Sequence, residues 1–271
     1  MATVTYYDSI DDAVAMLSHR KTIHHLSKWA GAETRGQFKD LLLYGDPVKG
    51  EAIRKMINEF QLNIKTVGQR QQLDVAGSLP SIPHMLSGDP MHMRRRKPEA
   101  MNRGRLRMFV NIVVSAGISD RQLEARGAAV AALAYNLSTV RPVELWAIGT
   151  MNEANDSSSH AGNYNIPCVR IAANPIDPNR VASILAHPVG ARALMFNLRS
   201  DSSSEYINWA WEDYSVQQNA DRFKERLKLI FNLTDDDLVF PGGMLGDVSH
   251  EPGEWLKAKM VQLGLIDNEG K

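Results

Sequence analysis

The chain has a single cysteine, Cys168, so an intrachain disulfide and a cysteine-rich metal site are both excluded. It has no apolar run of the roughly 18 residues that a bilayer-crossing helix needs, and no membrane partner is expected. The first residues, Met1 to Asp12, are polar and acidic rather than basic and then apolar. That is not the pattern of a signal peptide, and the reading is of a protein that works in a cytoplasm. Catalytic signatures are missing too. No GxxxxGK(S/T) loop is present and no GxGxxG follows a strand. Gly45 to Gly50 has the loop spacing, but Glu51 stands where the lysine belongs. HExxH and GxSxG are also absent. The chain reads as non-enzymatic, with no cofactor, no catalytic residues and no metal.

Net charge is zero as well, 31 basic against 31 acidic side chains, yet the charge is not spread evenly. Residues 1–110 hold 17 basic and 11 acidic side chains, and residues 111–271 hold 14 and 20. The densest block is Arg94, Arg95, Arg96, Lys97, Arg103, Arg105 and Arg107, relieved only by Glu99. Packed cations repel one another, so such a block calls for an anionic partner, and a nucleic-acid backbone is the commonest extended one. The alternative is neutralisation by the acidic half of the chain or within a homo-oligomer. A second basic cluster, His19 to Trp29, contains Lys21, Lys28 and Trp29. The eight histidines are scattered. Those at 19, 24 and 25 stand beside cations rather than metal-ligand partners.

The pattern along the chain predicts an α/β protein in one domain. A central, partly parallel sheet is flanked by helices and is not an OB barrel. Ser9 with Asp8 and Asp11 caps a first helix, and Phe38 to Tyr44 forms another that Gly45, Asp46 and Pro47 stop. Glu51 to Phe60 has apolar residues at helical spacing. Strands are expected at Met108 to Val114, Val143 to Ile148 and Ile166 to Ala172. Between the first two lies the alanine-rich helix Leu123 to Leu137. Asp177 and Pro178 begin a helix, Gly190 to Leu198 continues helically, and further helices span Asn219 to Phe231 and Gly253 to Leu263. The turn residues from Gly77 to Pro90 predict an irregular basic arm over about 77–107.

On this reading Arg94 to Lys97 clamp a ligand from the arm. Arg103, Arg105 and Arg107 alternate with other residues and so form a row on one face. Lys21, Lys28 and Trp29 are additional contacts. Stacking groups are sought among Trp29, Tyr6, Tyr7, Tyr44 and Phe109, with Phe109 and Trp146 assigned to the core. No helix-turn-helix or zinc finger is visible, which favours a flexible single strand over a duplex groove. Asp247, His250 and Glu251 read as loop residues.

Two resemblances follow from quoted residues. Gly88-Asp89-Pro90, Arg94 to Lys97 and the strand Phe109 to Val114, in a neutral chain without catalytic motifs, resemble the single-stranded-DNA-binding RNA polymerase cofactors (Drc type) of podoviruses that package a virion RNA polymerase. That resemblance covers the whole chain. It implies a phage protein, in the cytoplasm of an infected bacterial host, that binds single-stranded DNA and recruits the phage RNA polymerase to promoters. The second covers about 40 residues. Ser115-Ala116-Gly117-Ile118-Ser119 after a strand resembles the DxSxS corner of von Willebrand factor A domains. Ser115 replaces the aspartate and Gly117 the middle serine, so the hardest oxygen ligand for magnesium is lost. It implies a degenerate protein-interaction scaffold. A hydrolase using Ser115 or Asp247 is the remaining alternative.

Overall fold

Residues 3–24, 26–61, 69–74, 79–98, 105–113, 118–139, 141–149, 165–172, 176–199, 228, 231–234, 236–240 and 252–263 are described by the computed structural model, with 3, 60, 61, 69–74, 79, 94–98, 165, 199 and 252 by their backbone alone. Strand β1 (Thr3–Tyr7) leads into α1 (Ile10–Ser18). The Ser9 hydroxyl caps that helix by accepting the Asp12 N–H at 3.0 Å, and Asp11 and Asp12 sit at its positive end. Helix α2 (Arg35–Tyr44) begins with a capping box between Thr34 and Gln37 and ends at Gly45. The residues that stop α2 also start α3 (Pro47–Gln61). The Asp46 carboxylate accepts the Val48 and Lys49 N–H groups at 2.9 and 3.1 Å, and Pro47 occupies a position where no N–H is needed.

A second, smaller sheet comes next: β2 (Gln69–Asp74), β3 (Leu79–Pro80), the short helix α4 (Ile82–Leu86) and β4 (Met93–Pro98). The main sheet resumes with β5 (Leu106–Asn111), α5 (Asp120–Ser138), β6 (Val143–Ile148) and β7 (Asn165–Ala172). Helix α6 (Pro178–Leu185), a π-helical turn at Val189–Leu194 and α7 (Met195–Arg199) follow. The last elements are β8 (Leu238–Phe240) and α8 (Pro252–Gln262).

The main sheet is open and mixed, in the order β1-β7-β6-β5-β8. Only the β6–β7 pair is antiparallel; β1 with β7, β5 with β6 and β5 with β8 are parallel. The expected α/β class and partly parallel sheet are therefore observed. The central strands are buried on both faces, as a covered parallel sheet requires. Leu106, Met108, Val110, Leu145, Ala147, Val169 and Ile171 share one cluster with the buried residues of α1, α2, α3, α5, α6 and α8. The opposite face holds Phe109, Trp146, Ile148, Ile166 and Cys168, with Phe231 over them.

Helix α5 is central to the helical layer because its alanines take little room. At Gly127 a methyl group would stand 2.3 Å from the Leu185 carbonyl oxygen, so α5 and α6 meet backbone to backbone. No single described helix is long and apolar enough to cross a membrane. Helix α6 and the segment Val189–Leu198 pass that test only as a pair bent by 58°, and both are largely buried in the core.

Candidate nucleic-acid interface

The block Arg94 to Lys97 lies in a strand, which corrects the irregular arm expected across this stretch. β4 is the middle strand of the smaller antiparallel sheet, between β2 and β3. Residues 70, 71, 72 and 73 stand opposite 97, 96, 95 and 94. The strand went unseen because β2 reads QRQQLD, with none of the apolar alternation that betrays a half-buried strand. Its backbone pairs nonetheless. The pleat changes the geometry of the block: positions 94 and 96 fall on one face of the sheet, and 95 and 97 on the other with Arg70. Paired β2 and β4 hold five cations against one acid, Asp74. By register, Leu73 and Leu79 flank position 94 on its face, and Pro80 stands beside Met93 on the other. Arg70 was missed by sequence reading for the same reason as its strand.

Residues 81–92 join β3 to β4 as an ordered loop. The Ser81 N–H donates to the His92 carbonyl at 2.6 Å and closes it. Asp89 braces it from within. Its Oδ1 accepts the Met91 N–H at 2.8 Å, its Oδ2 lies 3.1 Å from His84 Nδ1, and its carbonyl lies 2.8 Å from His92 Nδ1. The Met91 N–H, then His84, holds the Asp89 carboxyl below its ordinary range.

The expected row is only partly a row of free cations. Arg103 lies outside the described residues. Arg105 and Arg107 flank the buried Leu106 and share a face, but each meets an acid from the C-terminal half. Arg105 Nη1 donates to Glu144 Oε1 at 2.6 Å; the arginine is 63% exposed and the glutamate 10%. Arg170, a cation inside the apolar run of β7, reaches the same oxygen at 3.5 Å. Arg107 is held more tightly. Its Nε and Nη2 donate to the two oxygens of Asp237 at 3.1 and 2.5 Å, and Nη2 also donates to the Asn232 carbonyl at 3.1 Å. The guanidinium lies 5.6 Å from the centre of the Phe109 ring. The Asp237 side chain is 2% exposed. Burial alone would raise its carboxyl; the Arg107 bond and the Thr234 N–H outweigh this and hold it below its ordinary range. Arg107 thus fastens the segment before β8 to the sheet, which is the neutralisation by the acidic half weighed above.

Lys21 and Lys28 are exposed and form no ion pair with a described residue. The loop carrying them is pinned by Asn197, whose side chain exchanges hydrogen bonds with the His24 backbone at 2.8 and 3.0 Å. Trp29 is half exposed and has a structural task. Its ring lies 4.5 Å from the guanidinium of the buried Arg192. Arg192 donates to the Trp29 and Ile118 carbonyls at 2.9 and 2.6 Å and to Asp120 at 2.7 Å. Lys28 borders a cavity of about 480 Å³ with Glu33, Gln37, Asp40 and Tyr44. Its two carboxylates oppose a phosphate there. Phe109 and Trp146 are buried, as expected of core residues, and Tyr6 is exposed with its ring edge-on to Trp146.

At the corner after β5, residues 114–117 lie outside the described residues. The Ser119 hydroxyl caps α5 by accepting the Gln122 N–H at 3.3 Å and donates to Gln122 Oε1 at 2.8 Å. Asp247, His250 and Glu251 also lie outside the described residues.

Among protein families, the model described as a domain of unknown function, DUF7192, matches residues 2–265. No curated protein and no solved structure matches the chain.

Proposed function

We propose that the chain, which belongs to the DUF7192 family, binds single-stranded DNA without catalysing a reaction on it and serves as a transcription cofactor for a phage RNA polymerase. The observation that carries the DNA part is the strand pair β2–β4, which places cations on both faces of the smaller sheet. Cations two residues apart on one face are about 6.7 Å apart along the strand. That is comparable to the spacing of successive phosphates on an extended single strand. Arg94, Arg95, Arg96 and Lys97 are the principal contacts in this reading, with 94 and 96 on one face and 95 and 97 on the other, so a given strand meets one pair. Arg105 is a flanking contact, because its side chain stays open to solvent beyond Glu144. Arg107 is withdrawn to a structural role, and Lys21 is an outlying cation. The polymerase partner and the setting in an infected bacterial cytoplasm come from the resemblance to the podoviral cofactors.

Counterion release gives the test a number. One face of the sheet offers two or three cations, at positions 94 and 96 or at 70, 95 and 97, so the log–log salt slope is about −1.4 to −2.1 and affinity falls roughly seven- to twentyfold between about 50 and about 200 mM salt. Fluorescence anisotropy with a labelled single strand and the matching duplex measures it. The reading expects that fall and tighter binding to the single strand. Equal, salt-insensitive binding to both would overturn it.

A second reading rests on the corner after β5. What supports it is that β5, a parallel strand inside the sheet, is followed in the chain by a helix whose N-terminus Ser119 caps. Reversing the charges of Arg94, Arg95 and Arg96 separates the two. DNA binding is lost under the first reading, whereas a protein partner held at the corner is unaffected under the second.

A further inference from the structure

Four of the eight exposed large hydrophobic side chains among the described residues fall within the twelve residues of the β3–β4 loop. Ile82 is 53% exposed, Met85 46%, Leu86 79% and Met91 50%. Single exposed apolar residues need no explanation, but a cluster of this kind marks a binding surface. The loop is braced rather than loose, by the Ser81–His92 closure and by Asp89, so these side chains are presented at a fixed place. Apart from His84 and His92 the loop holds no basic residue, and His84 lies against the Asp89 carboxylate. A phosphate gains little there. Two residues beyond Met91 the chain enters β4 and its four consecutive cations.

From this arrangement we infer that the β3–β4 loop is a base-contacting tip: β4 takes the backbone of a DNA strand while Met85, Leu86, Ile82 and Met91 take the faces of its bases. The inference rests on the DNA-binding reading and adds its specificity element. Leu, Ile and Met side chains are among the apolar groups that proteins insert between bases, alongside the aromatic rings on which single strands stack. A duplex hides base faces in its stack and a single strand offers them. The tip therefore supplies the preference for single strands, which cations alone do not.

The test uses the full chain and three probes: a short oligothymidylate, an abasic strand of equal length, and the matching duplex. Wild type should bind oligothymidylate roughly tenfold more tightly than the abasic strand. The double variant M85S/L86S, altered at two exposed positions, should bring that ratio to about twofold or less and leave the salt slope unchanged. A second variant, Met91→Ser, should move the ratio the same way. Wild type that binds both strands equally well, or variants that keep the full ratio, would overturn the inference while DNA binding itself stands. Wild type that binds no DNA would remove the DNA reading and the inference with it. Variants that lose self-association in sedimentation but keep the base ratio would assign the tip to a second copy of the chain, which also overturns it.

Discussion

Replacing Asp237 with Asn should destabilise the protein by about 2–3 kcal/mol, although the two side chains have nearly the same shape. In the native protein the Asp237 carboxylate accepts from Arg107 Nε and Nη2, and from the Thr234 N–H at 2.7 Å and hydroxyl at 3.1 Å. The carboxamide has one accepting atom and turns an NH₂ group toward donors at the other. Breaking a fully buried ion pair costs about 3–5 kcal/mol. Arg107 is 30% exposed, so water recovers part of the loss, which gives the lower figure. Urea unfolding followed by circular dichroism reads this as a lower midpoint at unchanged slope. The pH dependence supplies a second check. Asp237 titrates lower in the folded protein than in the unfolded chain. Its contribution is therefore complete above the unfolded value, about pH 4, and is lost as pH falls through the folded value. The gap between wild type and D237N should hold steady near neutrality and close below about pH 4. A cost under about 0.5 kcal/mol, or a gap that persists in acid, would refute the role given to Arg107.

Three further outcomes are expected. Arg192→Met should cost about 3 kcal/mol in the same urea assay, because the Trp29 and Ile118 carbonyls lose a charged donor and the Trp29 ring its support. Gly127→Ala should cost about 1–3 kcal/mol by forcing α5 from α6, whereas Gly36→Ala, at an exposed site whose new methyl meets only Thr34 Oγ1 at 3.9 Å, should be neutral or stabilising. Burial pushes the Cys168 thiol well above its ordinary range, so iodoacetamide at about pH 8 should label the chain only after denaturant unfolds it.

The parts of the fold legible in the sequence are those whose signals are local. Ser119 before the alanine-rich helix, and Asp177 with Pro178, each fix a helix start through bonds within a few residues. The strand at Val143–Ile148 is an apolar run cut off by Pro142. The stop read at Gly45, Asp46 and Pro47 is where α2 ends, but the same Asp-Pro pair also starts α3, ahead of the start at Glu51 that the sequence predicts. Asp46 caps α3 just as Asp177 caps α6. Strand β5 starts at Leu106 and ends at Asn111, earlier than the apolar run suggests, because its edges are set by β6 and β8. The smaller sheet was hidden because polar strands give no periodic signal. Within the candidate site, charge density was legible and its disposition was not. Strand pairing sends 94 and 96 to one face and 95 and 97 to the other, and Arg107 is taken by an acid 130 positions away.

The central claim is that the cations of β4, and not Arg107, meet the DNA backbone. The most direct measurement is the salt slope of single-strand binding for wild type, Arg95→Ala and Arg107→Gln, side by side. The account predicts that Arg95→Ala flattens the slope by about 0.7 with unchanged stability. Arg107→Gln should leave the slope as it is and lower the urea midpoint, because a neutral amide replaces neither the charge nor the fork that holds Asp237. A slope that responds to Arg107 and ignores Arg95 would contradict the account.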